Sequence, residues 1–135
     1  MSKDKYGDPE CADVHDMHSS YGFKVNYQPT LISFKEFQDR VHHLEEELDE
    51  LKMAILRGDL SEIADALVDI VVITKGTAVM TGLPWNDLWK EVHRANSEKV
   101  PGINPKRPEH DFDLIKPPGW VAPRIQQILN NSKEV

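Results

Sequence analysis

Carboxylates recur at helical spacing in two neighbouring stretches of the sequence. Glu47 and Glu50 are three residues apart, Glu62 and Asp65 repeat that spacing, and Asp69 follows one turn later. Residues three or four apart share one face of a helix, so each stretch presents its acids together. Asp65 and Asp69 also fall in a largely apolar stretch, where an uncompensated carboxylate is costly to bury. These acids therefore require a compensating partner.

A short break at Gly58 separates the two acidic stretches and predicts a helical hairpin. Glu50 lies eight residues before Gly58 and Asp65 seven after it, while Glu47 and Asp69 are each eleven residues away. At about 1.5 Å of rise per residue, these acids come level with each other across the helix pair. Clustered carboxylates repel, and Mg²⁺ or Mn²⁺ relieves that repulsion with the all-oxygen ligands these ions prefer. The pattern predicts a metal site; the alternative is a solvated charged face.

Three long helices are predicted to carry these residues. The first begins near Ser33, which forms a capping-box pattern with Glu36, and ends before Gly58. The second spans about 61–81, and its apolar middle predicts a buried helix. The third spans about 84–100. The fold class is therefore all-α, an antiparallel helix bundle, and the exposed remainder of the second helix is expected to be covered by dimerisation.

Polar segments flank this core. Residues 1–30 are predicted to be a polar arm with at most short helical pieces, 31–100 the helical catalytic core, and 101–135 a proline-rich tail with a short helix at 122–129. The arm contains residue types that can bind metals, but their spacing matches no zinc motif, so a solvated arm is expected. These residues are Cys11, Asp13, His15, Asp16 and His18.

Composition narrows the possible functions. The 135 residues carry 23 acidic and 16 basic side chains, a formal net charge of −7, which argues against nonspecific nucleic-acid binding. The single cysteine excludes an intrachain disulfide framework and fits a reducing compartment. No apolar run is long enough for a membrane span, and no secretory signal is visible. We expect a single-domain cytoplasmic protein without membrane or nucleic-acid partners.

The acids and the tail resemble a known family. Glu46-Glu47-Leu48-Asp49-Glu50 followed by Glu62-Ile63-Ala64-Asp65 resembles the EExxE…ExxD pattern of MazG-like all-α nucleoside triphosphate pyrophosphatases. The stretch 64–100, including HRANSEKV, and the tail segment LIKPPGWVAPRI resemble the small phage and bacterial members. The resemblance covers roughly 31–130.

The resemblance implies a helical bundle that forms dimers or dimers of dimers and cleaves a triphosphate between its α- and β-phosphates with Mg²⁺. It places Glu47, Glu50, Glu62 and Asp65 on the family's metal-ligand positions, while Asp69 is added from geometry alone. Lys99 matches the lysine of an Asn-x-x-Lys pattern that would bind substrate phosphate; the alternative is a solvated residue at a helix end.

Further candidates for substrate binding lie outside the acids. His93, Asn96 and Lys99 are spaced to share one polar face of the third helix, and Lys75 could reach phosphate. Gln38 and His42 could recognise a base edge, or simply face solvent. Trp120 either pins the tail to the body or covers the nucleotide.

The function that the resemblance implies is Mg²⁺-dependent hydrolysis of a (deoxy)nucleoside triphosphate to the monophosphate and pyrophosphate, with (d)GTP, as in the MazZ subtype, as the specific candidate. The catalytic residues are expected to be Glu47, Glu50, Glu62, Asp65 and Lys99, with metal-activated water as the nucleophile. Alternatives are a related dUTPase or phosphoribosyl-ATP pyrophosphohydrolase, a non-enzymatic helical interaction module, and an acidic mimic of nucleic acid.

Overall fold

The computed structural model describes residues 2–133 and consists mainly of helices. Its elements are a 3₁₀ helix (Lys3–Tyr6), α1 (Pro9–Ser20), α2 (Phe34–Arg57), α3 (Leu60–Met80), α4 (Trp85–Ser97), β1 (Val100–Pro101), β2 (Leu114–Ile115) and α5 (Ile125–Lys133). The all-α prediction is confirmed. Residues 1, 134 and 135 of the predicted arm and tail lie outside the described residues. Within 2–133, no helix combines the length and apolarity that crossing a membrane requires.

The hairpin of α2 and α3 follows the sequence prediction closely. Ser33 and Glu36 form the complete capping box at the start of α2. Gly58 ends α2 in the left-handed conformation, with φ of 64°. Asp59 then caps α3 by accepting a hydrogen bond from the backbone N–H of Glu62. Because only two residues link the helices, α2 and α3 pack side by side along their length.

The N-terminal segment is part of the core, so the prediction of a solvated arm is wrong. Tyr6, Cys11 and Val14 are buried and form one hydrophobic cluster with Val79 of α3. Cys11, Val14 and His18 have the spacing of one helical face, and all three are buried. Cys11 and His18 are residue types that can bind metals, but their helical spacing with Val14 places all three on one packed face.

The chain between α1 and α2 also closes over the end of α3. The backbone N–H groups of Asn26 and Thr30 donate to the carbonyls of Val79 and Thr81, at 3.0 and 2.9 Å. Gly82 allows the segment between α1 and α2 to pack this closely. It has a φ of 65°, and a Cβ there would lie 2.2 Å from the backbone oxygen of Gln28. The C-terminal end of α3 is thereby packed on several sides.

The middle of α3 is different, because its apolar side chains are only partly covered within a single chain; full burial by a second chain stays a prediction. Leu67, Val68 and Val71 are 50%, 61% and 44% exposed, whereas Ala66 and Ile73 are buried. The apolar composition was identified correctly, but one chain supplies too few helices to cover every face of α3.

The C-terminal part also departs from the prediction. The helix α4 ends at Ser97, so Lys99 follows the helix instead of lying on its polar face. The tail then forms the antiparallel β1–β2 pair, with Val100 opposite Ile115, which the sequence analysis did not foresee. The last helix exists, but it begins at Ile125, three residues later than predicted.

Candidate active site

The hairpin of α2 and α3 brings the predicted acids towards one another around Glu47. The Glu47 side chain is only 13% exposed. Its Oε2 is buried and accepts no hydrogen bond from any residue in the described part of the chain. Its Oε1 lies 3.9 Å from Nε2 of His43, one turn earlier on α2. A buried carboxylate oxygen without a partner is uncommon and requires an explanation.

The pKa of the Glu47 carboxyl group responds to the neighbouring acids. Burial raises the pKa of Glu47, and the nearby carboxylates of Glu50, Asp69 and Asp65 raise it further. Two of these neighbours are on α3, across the helix pair from Glu47. The hairpin therefore produces the crowding of like charges that the spacing predicted.

A groove of about 480 Å³ opens beside these acids. Its lining comes from both helices: Asp49, Glu50, Met53, Arg57, Glu62, Asp65 and Ala66. Glu50 and Asp65 are exposed, so their carboxylates are accessible to a ligand in the groove. Within residues 2–133, no three histidine, cysteine or acidic side chains form a ready-made cluster for a metal ion as they are placed.

Glu62 forms an ion pair with an arginine side chain. The guanidinium of Arg57, at the end of α2, donates to its Oε2 across the short turn. Three further residues lie next to the site without having been predicted as site residues: Arg57, His43 and Asp49, the last of which is part of the acidic motif. The position of Arg57 immediately before the turn was the available signal, since the turn brings it next to the first residues of α3.

The donors present fit a hard divalent cation. Glu47, Glu50, Asp65 and Asp69 supply only oxygen, the ligand type that Mg²⁺ and Mn²⁺ prefer. The Oε2 of Glu47 is a desolvated acceptor, and a cation would satisfy it. A cation would also relieve the repulsion that raises the pKa of this group.

Lys75 lies at the other end of α3 and is engaged with the N-terminal segment. Its ammonium donates to Asp8 at 2.9 Å and also to Glu10, and it lies 5.8 Å from the ring centroid of Trp85. Burial lowers the pKa of Lys75, but the hydrogen bonds to Glu10 and Asp8 outweigh that effect and the pKa is raised. The structure therefore places Lys75 in the packing of α1 against α3.

Trp120 and Lys99 form one unit in the tail. The indole N–H of Trp120 donates to the carbonyl of Ala95 in α4 at 2.7 Å, so this residue pins the tail to the body. The Lys99 ammonium lies 5.4 Å from the centroid of the same ring. Of the two roles considered for Trp120, pinning the tail is the one with a contact in the structure.

The remaining substrate candidates are exposed. His93 and Asn96 lie on α4, whose main packing partner is α5. On α2, Gln38 is exposed, and Nε2 of His42 lies 3.5 Å from Glu46. The structure brings none of these four side chains into the lining of the acidic groove.

These features define a helical-hairpin protein with a carboxylate-lined groove beside a buried, unsatisfied glutamate. The family model described as "phosphoribosyl-ATP pyrophosphohydrolase" matches residues 14–96, which is more than half of the chain. The chain belongs to this family, and its class of activity is pyrophosphohydrolysis of a nucleotide. The match begins within α1, so the family region includes part of the segment predicted to be a separate arm. Comparison with curated proteins gave no match.

Proposed function

We propose that this protein is a Mg²⁺-dependent hydrolase that converts a (deoxy)nucleoside triphosphate to its monophosphate and pyrophosphate. The single observation that supports this most strongly is the buried, unpartnered Oε2 of Glu47 among the carboxylates of Glu50, Asp65 and Asp69. Family membership supplies the class of reaction, cleavage of a nucleotide's pyrophosphate linkage.

The acids of the groove have separate roles in this proposal. Glu47, Glu50, Glu62 and Asp65 would hold Mg²⁺, with Asp69 as a further ligand, and Mn²⁺ would substitute. The bound ion supplies polarisation of phosphate oxygens and a lowered pKa for water. A carboxylate that is not fully used as a metal ligand, Glu47 or Asp69, is the candidate for accepting the proton of the attacking water.

Cations must complement the acids, since the leaving pyrophosphate accumulates negative charge. Lys99 is proposed to offset this charge. Arg57 is a further candidate, because it lines the acidic groove. Its guanidinium would bind phosphate by donating to a phosphate oxygen in place of the Glu62 carboxylate. His93, Asn96, Gln38 and His42 remain predicted contacts to the rest of the substrate. The same contact was predicted for Lys75, whose ammonium group is paired with Asp8 and Glu10 in this structure.

A homodimer, or a dimer of dimers, is proposed as the functional state. Leu67, Val68 and Val71 lie on the same helix as Asp65 and Asp69 and are about half exposed. A second chain covering them would exclude water next to the acids and strengthen every charge interaction there.

Substrate identity has two candidates. The resemblance of the C-terminal half to small MazG-like proteins favours nucleoside triphosphates, with (d)GTP as the specific proposal. The description of the matched family favours phosphoribosyl-ATP as the second candidate. Both contain the same triphosphate linkage, so only the portion that carries the base distinguishes them.

The test is a product assay. The protein is incubated with each of the eight common NTPs and dNTPs, and with phosphoribosyl-ATP, in Mg²⁺ and in excess EDTA. The expected result is a monophosphate and pyrophosphate in Mg²⁺ alone, fastest with (d)GTP. Diphosphate and orthophosphate as the main products, or full activity in EDTA, would contradict the proposal. Hydrolysis of phosphoribosyl-ATP alone would favour the second candidate.

A further inference from the structure

A second groove, in the tail, has four basic side chains among its nine lining residues. It has a volume of about 350 Å³, and its cations are Lys99, Lys106, Arg107 and Lys116. The one carboxylate in its lining is Asp113. The chain as a whole carries a net charge of −7, so this concentration of positive charge runs against the overall composition.

The carboxylate of Asp113 forms an ion pair with one of the four cations, Arg107. Arg107 donates to both of its oxygens, each at 2.9 Å, and the guanidinium lowers the pKa of Asp113 to about 2. Among residues 2–133, the ammonium groups of Lys99, Lys106 and Lys116 form no ion pair with a carboxylate. Three lysines therefore face this groove without a partner of opposite charge.

Two of these lysines make cation–π contacts with one aromatic ring. The ammonium groups of Lys99 and Lys116 lie 5.4 and 4.9 Å from the ring centroid of Trp120. Contact with the ring is favourable for each cation, and it places both ammonium groups against the same side chain. The ring itself is fixed, because its N–H is bonded to Ala95.

The backbone around the groove is also held in place. The N–H of Gly102 donates to the carbonyl of Asp113 at 3.1 Å, and the side-chain amide of Asn104 donates to the carbonyl of Leu114 at 3.2 Å. Together with the Arg107–Asp113 pair, these bonds tie the two sides of the long tail loop together. The lysines thus project from an ordered frame, which reduces the entropy lost on binding.

We infer that this groove binds the phosphate chain of a nucleotide, with Lys116 and Lys106 as phosphate-binding residues beside Lys99. Lys99 and Lys116 both contact Trp120 and line the same groove, and several cations favour an anion with several charges. Pyrophosphate and the triphosphate chain share this chemistry. Naming the ligand as substrate or leaving group rests on the proposed function; the anion site itself does not.

The experiment is isothermal calorimetry with inorganic tripolyphosphate and pyrophosphate, in EDTA so that no metal-dependent binding or hydrolysis contributes. Wild-type protein is compared with Lys116→Met, Lys106→Met and Lys99→Met. Lys90→Met is the matched control, because it removes the same charge from an exposed position on α4 outside the groove. All four variants should keep the wild-type helical circular dichroism, since none alters the frame of the groove.

The expected result is that Lys116→Met and Lys99→Met weaken tripolyphosphate binding roughly tenfold each, whereas Lys90→Met changes it less than twofold. An equal loss for pyrophosphate would indicate that the groove holds the leaving group; a loss for tripolyphosphate alone would indicate the longer chain. Unchanged binding in Lys116→Met, or an equal loss in Lys90→Met, would overturn the inference. Because no turnover is measured, an inactive protein would refute the proposed function and leave this result intact.

Discussion

The two ends of α3 are built from similar apolar residues but have opposite surroundings. At the C-terminal end, Val79 is fully buried against Tyr6 and Cys11 of the N-terminal segment. In the N-terminal half, Val68 is 61% exposed and lies one residue from Asp69. The chain thus completes the packing of one end of the helix and leaves the other open.

The two ends also differ in how their polar and charged groups are satisfied. The packed end has hydrogen-bonded backbone and paired charges, such as Lys75 with Asp8. The open end has like charges that converge on the Glu47 oxygen without a partner. Unsatisfied groups are destabilising, and proteins retain them mainly where they bind something. Substitutions at the two ends should therefore change different measured quantities.

The largest effect is expected at the open end. Glu50→Gln or Asp65→Asn should reduce kcat by more than about 100-fold, because each removes a proposed metal ligand. The helical fold should persist, since both side chains are exposed. Glu45→Gln, an exposed acid on α2 outside the groove, is the control and should remain active. Steady-state kinetics in Mg²⁺ measures this; near wild-type kcat in both variants would place the site elsewhere.

A charge on the exposed apolar face should break assembly. Val71→Glu should raise the dimer dissociation constant by at least about 100-fold, because an unpaired carboxylate would be buried between chains. Val121→Glu is the matched control, since this valine has the same 44% exposure but lies in the tail. Light scattering at micromolar concentration measures both. A wild-type monomer, or a dimer in both variants, would refute the proposed interface.

At the packed end, the expected effect is on stability. Gly82→Ala should lower the free energy of unfolding by more than about 2 kcal/mol, since it adds a backbone clash to the cost of a left-handed residue. Gly58 has nearly the same φ, 64°, with open space around it, so Gly58→Ala should cost only about 1–2 kcal/mol. Urea denaturation measures the free energy of unfolding of both variants. Equal losses of stability would show that the close contact between Gly82 and Gln28 contributes nothing.

The smallest expected effect is on the pH dependence of stability, to which His18 near the packed end of α3 and Glu47 near the open end should contribute in opposite directions. Burial lowers the pKa of His18, so stability from this group is complete above its unfolded pKa near 6.5 and is lost as pH falls below it. The pKa of Glu47 is raised, so metal-free protein should gain stability from this group as pH falls through that raised value towards 4.5.

Two variants separate these contributions. His18→Asn should reduce the loss of stability between pH 7 and 5, and Glu47→Gln should remove the opposing gain. Thermal unfolding in EDTA across this pH range measures both effects. A pH profile unchanged by either substitution would show that these groups do not control the response.

The sequence was sufficient for the α2–α3 hairpin because local signals agree there: the Ser33–Glu36 capping box, Gly58 and the repeated acids. It failed for the N-terminal segment, where the chemical types of Cys11 and His18 obscured a helical stripe. The sequence Asp8-Pro9 was an available signal for a helix start, since aspartate caps helices and proline suits their first position. It also failed for β1 and β2, whose pairing joins residues about fifteen positions apart and has no local signature.

The most direct test of the open end as a metal-dependent centre is thermal unfolding with increasing Mg²⁺. Binding to the native state alone stabilises it by about 2.7 kcal/mol at 100 times the dissociation constant. Wild-type protein and Glu45→Gln should therefore show a Tm that rises with Mg²⁺, and Glu50→Gln combined with Asp65→Asn should show none of this rise. An equal rise in the double variant, or no rise in wild-type protein, would contradict a metal site in the acidic groove.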